Sequence, residues 1–254
     1  MSALQAAGPG REAQLAEALA AVQARLEQAA HAAGRRVTEI ELLPITKFFP
    51  ATDVAILSRL GCRSVGESRE QEASAKVQEL QVLHGRLPEP VHWHMVGQIQ
   101  RNKARSLAGW AHTVHSVSSS RTLTALDRAV GQALDEGRRT APLRVYIQVS
   151  LDADVSRGGV DIAAPGAIVE ICGQVEAAGA LQLVGLMGIP PLDADPDVSF
   201  ERLAVEHRRV LDFHPDALGL SAGMSSDLEI AVKHGSTCVR VGTALMGPRR
   251  LTSP

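Results

Sequence analysis

Eight short apolar runs separated by longer amphipathic stretches constrain this chain more than any other feature. The runs are Ile40 to Thr46, Ser64 to Gly66, Val91 to Gly97, Thr113 to Val117, Leu143 to Ser150, Leu183 to Ile189, Leu218 to Ser221 and Cys238 to Val241. Helical spacing fills the rest: Glu12 to Ala33, closed by Gly34 at a C-cap position, then Thr52 to Leu60, Arg69 to Leu83, Ile99 to Leu107, Ser119 to Glu136, Pro165 to Ala178, Phe200 to Phe213 and Ser226 to His234. Strands that alternate with helices pair in parallel, because each return to the sheet needs a crossover. The length of 254 residues suits an eight-stranded parallel barrel, which typically takes about 250. The expectation is an α/β fold, a single (β/α)8 barrel of TIM type over residues 1–254, with an extra N-terminal helix and loose tails near 1–10 and 248–254. An open doubly wound sheet would call for a glycine fingerprint after the first strand, where Thr46-Lys47-Phe48-Phe49 stands instead.

Composition excludes several classes of function. A net charge of -2 gives no basic field for nucleic acid or an acidic membrane surface. No apolar stretch approaches the length of a membrane span, and the N-terminus lacks an apolar leader core. Cys62, Cys172 and Cys238 are odd in number, widely spaced and set in apolar contexts, as reduced thiols would be. The chain is expected to be cytoplasmic and monomeric.

Active groups in such barrels gather at the C-terminal ends of the strands. Lys47 follows the first run directly and shares a face with Leu43 and Ile45. Half-burial there would disfavour the ammonium form and free the amine to make a Schiff base; the alternative is a lysine that snorkels into water. In the last run Val239 and Val241 share the face suited to the helix layer, so Arg240 projects into the barrel with Cys238. That guanidinium needs an acceptor, and a structural ion pair is one way to supply it. Leu220-Ser221-Ala222-Gly223-Met224-Ser225-Ser226-Asp227 and Gly242-Thr243 bring small residues and hydroxyls to helix starts. Backbone amides there bind anions, although Ser and Asp also serve as ordinary N-caps. A buried amine, an inward arginine and a phosphate cradle at one end of a barrel describe a pyridoxal 5'-phosphate (PLP) site.

Over nearly its whole length the chain resembles the pyridoxal-phosphate homeostasis protein family, whose members look like the barrel domain of alanine racemase. The stretches that carry the resemblance are Leu43 to Lys47, Val65 to Glu72, Trp93 to Lys103, Gly185 to Pro190, Leu220 to Asp227 and Val239 to Gly247. The resemblance implies a PLP barrel of fold type III in which Lys47 carries PLP as a Schiff base and Arg240 faces the pyridine nitrogen. It implies that Ser221, Met224, Ser225, Gly242 and Thr243 hold the phosphate, with His94 and Asn102 in the surrounding wall. Many relatives have Ser where this chain has Thr46 and Asn where it has Ser68; both keep a polar group. Many also have Ser-Lys-Ser-Gly where Val155-Ser156-Arg157-Gly158-Gly159 stands, which leaves Arg157 without an assigned role.

Other candidate chemistry is thinner. His92 and His94 share a strand face, yet no ligand-spaced Cys or carboxylate cluster accompanies them. Arg101, Lys103 and Arg105 read as a solvated basic face, and Glu67, Glu70 and Glu72 either as a carboxylate acid/base pair or, equally, as charges that the dipole favours at a helix start. Racemases of this barrel type use a second base, a tyrosine from a C-terminal β domain. This chain ends about a turn after Gly247, so no such domain is expected, and its single tyrosine, Tyr146, lies mid-strand as core. The sequence therefore points to a PLP binder that buffers or delivers its cofactor to apo PLP-dependent enzymes. A racemase-type PLP enzyme with Lys47 as sole base and a cofactor-free Schiff-base aldolase are the alternatives.

Overall fold

A computed structural model of the chain describes residues 9–82, 89–152 and 158–248. The strands in chain order are β1 Glu41–Pro44, β2 Ser64–Glu67, β3 His92–Met95, β4 Ala111–Val117, β5 Leu143–Ser150, β6 Val160–Asp161, β7 Leu181–Gly188, β8 Gly219–Ser221 and β9 Cys238–Val241. All pairings are parallel, in the order β1-β9-β8-β7-β5-β4-β3-β2, and the ring closes through a bridge between Ile45 and Gly66. The eight expected strands form this nearly closed barrel; the two-residue β6 is an addition that pairs with the end of β5.

Alternation sorts the strand residues into two layers. Leu42, Val65, Trp93, Val239 and Val241 face outward into the helix layer. Leu43, Ile45 and Cys238 meet in the interior. The helices are α1 Pro9–Ala32, α2 Ala51–Arg59, α3 Glu70–Val82, α4 Ala104–Trp110, α5 Ser120–Asp135, α6 Pro165–Glu176, α7 Pro196–Leu211, α8 Leu228–Lys233 and α9 Thr243–Met246. In α1 the buried positions Leu15, Leu19, Val22, Leu26 and Ala29 recur every three or four residues, with Ala30 buried beside the last. They pack against Leu228 and Val232 of α8 and Leu245 and Met246 of α9. Polar contacts extend this grip: Arg25 pairs with Glu229 at 2.9 Å and donates to the Ser225 carbonyl, while Arg11 pairs with Asp53 at 2.7 Å and donates to the Met246 carbonyl. The N-terminal helix thus fastens the loops that follow β8 and β9.

Some boundaries differ from expectation. The β1 ladder ends at Pro44, earlier than Thr46, although the amides of Ile45 and Thr46 still bond to Val241 and Gly66. The helix expected from Ile99 is a 3-10 turn, Arg101–Lys103, followed by α4. A bulge in β7 sets Val145 opposite Leu183 but Tyr146 opposite Gly185, leaving Val184 as the extra residue. Gly185 is required there: its φ is +150°, and a Cβ would lie 1.8 Å from the Gly219 carbonyl oxygen. Cys172 and Cys238 are buried, whereas Cys62 is only half so; burial pushes the Cys62 thiol up to about 11. Of the expected tails, 1–8 and 249–254 lie outside the described residues, as do Val155, Ser156 and Arg157, while Pro9 and Gly10 open α1.

Candidate functional site

The C-terminal ends of β1, β8 and β9 lie side by side and define a mouth. Leu43 is in register with Arg240 and Pro44 with Val241, and the Ile45 amide donates to the Val241 carbonyl at 2.9 Å. Thr46 is buried and donates its amide to Gly66; Lys47 is the first residue of the turn that follows. Lys47 is exposed, which agrees with the alternative of a lysine that reaches into water and not with half-burial. Strand pairing stops at Thr46, so the next side chain on the inward face emerges at the rim. Its Nζ lies 6.0 Å from the Phe48 ring centroid.

Beneath that rim lies a continuous polar core. Arg240 points into the barrel with 5% of its surface exposed. Its Nη1 donates to Ser221 Oγ at 2.5 Å and its Nη2 to the Gly188 carbonyl at 3.0 Å. No carboxylate forms an ion pair with it among the described residues, so the structural ion pair is absent there, and two of five N–H groups are accepted by these partners. Ser221 is fully buried and lies 2.9 Å from His115 Nδ1; His115 Nε2 lies 3.0 Å from His94 Nδ1. Burial holds both imidazoles neutral, His94 down to about 3 and His115 well below its ordinary value. Arg240 can only donate, so Ser221 Oγ accepts from it, while the donors in the Ser221–His115 and His115–His94 bonds are set by the tautomers of the two imidazoles; at the far end His94 Nε2 lies 3.9 Å from Glu41 Oε1.

The loops after β8 and β9 form the outer wall. Gly223 has φ +90°, and a Cβ there would come within 2.5 Å of the Ala231 Cβ, so the chain can turn tightly against α8. The Met224 amide donates to Asp227 Oδ1, and Met224 itself is 37% exposed. Ser225 Oγ accepts from the Ala244 amide at 3.3 Å and ties this loop to the first turn of α9. Thr243 is exposed, and Gly242 sits where a Cβ would be 3.7 Å from the Ile45 Cβ, next to the start of the Lys47 turn.

Strand ends β1, β8 and β9 thus bring the segments that carry Lys47, Met224, Ser225, Gly242 and Thr243 to one end of the barrel, with the Arg240 side chain in the interior. Ser221 and His94 lie deeper than the resemblance implied. Ser221 is a ladder residue, in register with Cys238, and its hydroxyl is committed to Arg240 and His115. Asn102 is exposed and lines a groove between α4 and α5 with Arg101, Arg105, Arg121 and Arg128, so it is not brought to this cluster. Sequence reasoning missed His115, although a histidine within the apolar run Thr113 to Val117 is a usable signal. It also read Glu67 as helical, whereas Glu67 is the buried last residue of β2. His92 stacks on His112, centroids 4.1 Å apart, at the start of β3; among the described residues no three His, Cys, Asp or Glu side chains converge as metal ligands.

The alanine racemase N-terminal domain family matches residues 17–250. Over 258 aligned residues, and across the full length of both chains, the protein is 69% identical to the pyridoxal phosphate homeostasis protein of Mycobacterium bovis. The chain belongs to the pyridoxal phosphate homeostasis protein family. A relative of that name from Corynebacterium glutamicum is 44% identical over 91% of this chain and all of its own length. Among solved structures, PipY of Synechococcus elongatus with PLP bound superposes with a TM-score of 0.76 at 31% identity, covering 92% of this chain and all of PipY. The alanine racemase of C. glutamicum shares the fold, with a TM-score of 0.61 at 14% identity; the match covers 94% of this chain but 62% of the racemase. Among the described residues no helix is long and apolar enough to cross a membrane.

Proposed function

We propose that this chain binds PLP at the mouth described above and buffers or delivers it in the cytoplasm, as a monomer in one barrel domain that catalyses no turnover of its own. The observation that carries the reading is a buried guanidinium, without a carboxylate partner among the described residues, set beneath an exposed amine and a hydroxyl-lined loop pair. These are the three groups that the ends of PLP require. The residues present fit the cofactor: Lys47 for its aldehyde, Arg240 for its ring nitrogen, and Ser225, Thr243 and the Met224 and Gly242 backbone for its phosphate. PLP supplies an aldehyde that an amine captures as a Schiff base with loss of water. The chain's own contribution is orientation. Ser221 and Gly188 fix the Arg240 plane, His115 and His94 fix the Ser221 hydroxyl, and α1 fixes the phosphate loops. His94 is read as supporting the site from outside ligand contact, and Asn102, away in the groove between α4 and α5, has no part in this reading.

Two features support binding over catalysis. The mouth is open, so water is not excluded from Lys47. Tyr146, the chain's single tyrosine, lies inside the barrel stacked on His115 at 4.5 Å, and burial pushes its phenol well above the ordinary range, which leaves it unfit as a second base. The test is spectroscopic. The protein mixed with PLP is expected to show a visible or near-ultraviolet band that borohydride removes, leaving a pyridoxyl group on Lys47, and Lys47→Ala is expected to lack the band. Mixed with an apo PLP-dependent enzyme, the loaded protein should restore that enzyme's activity. A band that survives Lys47→Ala unchanged refutes the assignment.

A further inference from the structure

The residues on both sides of Lys47 are tied to one buried ion cluster. Thr46 donates its hydroxyl to Glu67 Oε1 at 2.6 Å and offers its carbonyl to Lys76 Nζ at 2.9 Å. Lys76 Nζ also donates to Glu67 Oε1 at 2.8 Å and to Glu72 Oε1 at 2.7 Å, so all three of its N–H bonds are used. Glu72 Oε1 in turn accepts the amide of Phe48. The peptide units before and after Lys47 are thus clamped by the same carboxylate–ammonium–carboxylate group. The cluster lies between the barrel wall and α3: the side chain of Glu67 is fully buried, that of Lys76 7% exposed and that of Glu72 23%.

Two further observations give the clamp a purpose beyond closing the barrel. Phe48, the residue directly after Lys47, has φ +69°, the one positive φ at a non-glycine among the described residues. A side chain in that region is disfavoured and persists where its surroundings hold it, and such positions concentrate at functional sites. Glu67 also keeps one carboxylate oxygen, Oε2, buried without a hydrogen-bond partner. A cluster selected only for stability would serve as well or better with apolar side chains of similar volume.

We infer that Lys76, with Glu67 and Glu72, is a positioning group for Lys47, holding the Thr46-Lys47-Phe48 turn in the strained conformation that presents the amine over the mouth toward an aldehyde ligand. The inference rests on the reading of Lys47 as the amine that captures PLP. It assigns no bond-making role to the cluster: the amine nitrogen bonds the aldehyde carbon, the carbonyl oxygen leaves as water, and the cluster sets where the amine stands. Misplacement of a reacting group by about 1 Å can cost on the order of a hundredfold, so loss of the clamp should be visible.

The experiment compares wild type with Lys76→Met and Glu72→Gln. Lys76→Met keeps the stem and removes the charge and three donors. Glu72→Gln keeps an oxygen near the Phe48 amide, and its partly exposed position makes it the safer variant for folding. Each is titrated with PLP, read by absorbance and borohydride trapping, and with pyridoxine 5'-phosphate, an alcohol that cannot form a Schiff base, read by competition; the urea midpoint is followed in parallel. Schiff-base formation is expected to weaken about tenfold or more in Lys76→Met, and less in Glu72→Gln, while affinity for pyridoxine 5'-phosphate stays within about twofold. Schiff-base formation equal to wild type overturns the inference, and so does a parallel loss for both ligands that tracks the urea midpoint, which marks the cluster as structural. Should Lys76→Met not fold, Glu72→Gln alone decides by the same two criteria. A wild-type protein that forms no Schiff base with PLP sinks the reading of the site itself, a result distinct from variants that form one as readily as wild type.

Discussion

Ser221 closes β8 and Ser225 lies four residues on in the loop that follows, and the proposed site gives them opposite jobs. Ser221→Ala removes an oxygen that accepts from the buried Arg240 guanidinium and shares a second hydrogen bond with His115. Losing a hydrogen bond to a charged group costs roughly 1.5–3 kcal/mol, and a buried acceptor left without a donor costs roughly 1–3. With Ser221 fully buried, water cannot readily replace the hydroxyl, so the variant should lose about 2–5 kcal/mol of stability. For a chain of this size that is about 4–20 °C in melting temperature. Ser225→Ala removes one 3.3 Å bond from the Ala244 amide at a half-exposed position, and its stability should stay within about 0.5 kcal/mol of wild type. Its PLP affinity should fall about tenfold, with affinity for phosphate-free pyridoxal nearly unchanged. Urea unfolding monitored by circular dichroism, paired with ligand titrations, measures all four quantities. Ser221→Ala as stable as wild type, or a Ser225→Ala loss that is equal for PLP and pyridoxal, would refute this division of labour.

Acid should destabilise the barrel through its buried imidazoles. A histidine whose folded value is depressed binds its proton in the unfolded state first, so stability is retained above the unfolded value near 6.5 and is lost as pH falls toward about 3 for His94; at pH 5 this is about 2 kcal/mol from His94, with His115 acting in the same direction. The urea midpoint between pH 7 and 5 should therefore drop more in wild type than in His94→Asn. Gly185→Ala should cost more than about 4 kcal/mol or prevent folding, because backbone must move to admit the Cβ; a soluble variant with an unchanged melting temperature contradicts the bulge geometry. Incubated with L- and D-amino acids, the loaded protein should racemise none of them above the rate of free PLP, since a missing general base forgoes about 10²- to 10⁴-fold; turnover at enzymatic rates that Lys47→Ala abolishes would favour the racemase reading.

The barrel was legible because its signal is redundant. Each apolar run is bounded by helical spacing, and a slip of one or two residues at an end, as at β1 or α4, leaves the alternation intact. The inward direction of Arg240 followed from two valines, Val239 and Val241, that mark the outer face of β9. The depth of side chains was not legible. Whether Ser221 lines the mouth or the core depends on where pairing with Cys238 stops, and whether Lys47 is covered depends on the turn after Thr46. Both are set by strand ends, which local pattern fixes poorly. The Lys76 cluster was invisible for another reason: Thr46, Glu67 and Lys76 come from three elements, and only closure of β1 against β2 brings them together.

The exposure of Lys47, the water-reaching alternative that the sequence left open, bears on how the proposed site can release what it holds. An enzyme that uses a lysine as its base gains from a dry enclosure, because excluded water strengthens every charge interaction around the reacting atoms. A carrier needs the reverse at one end of its ligand: water must reach the carbon–nitrogen bond to hydrolyse it, while the other contacts stay dry enough to hold the cofactor in register. The mouth divides in that way. Arg240, Ser221, His115 and His94 are buried and form one hydrogen-bonded column whose geometry does not depend on solvent. Lys47, Thr243 and Met224 stand in water above it. If PLP binds as proposed, a rigid column under a solvent-open Schiff base is the arrangement expected of reversible capture, and the fixed turn at Thr46-Lys47-Phe48 would keep the amine where it could recapture the aldehyde.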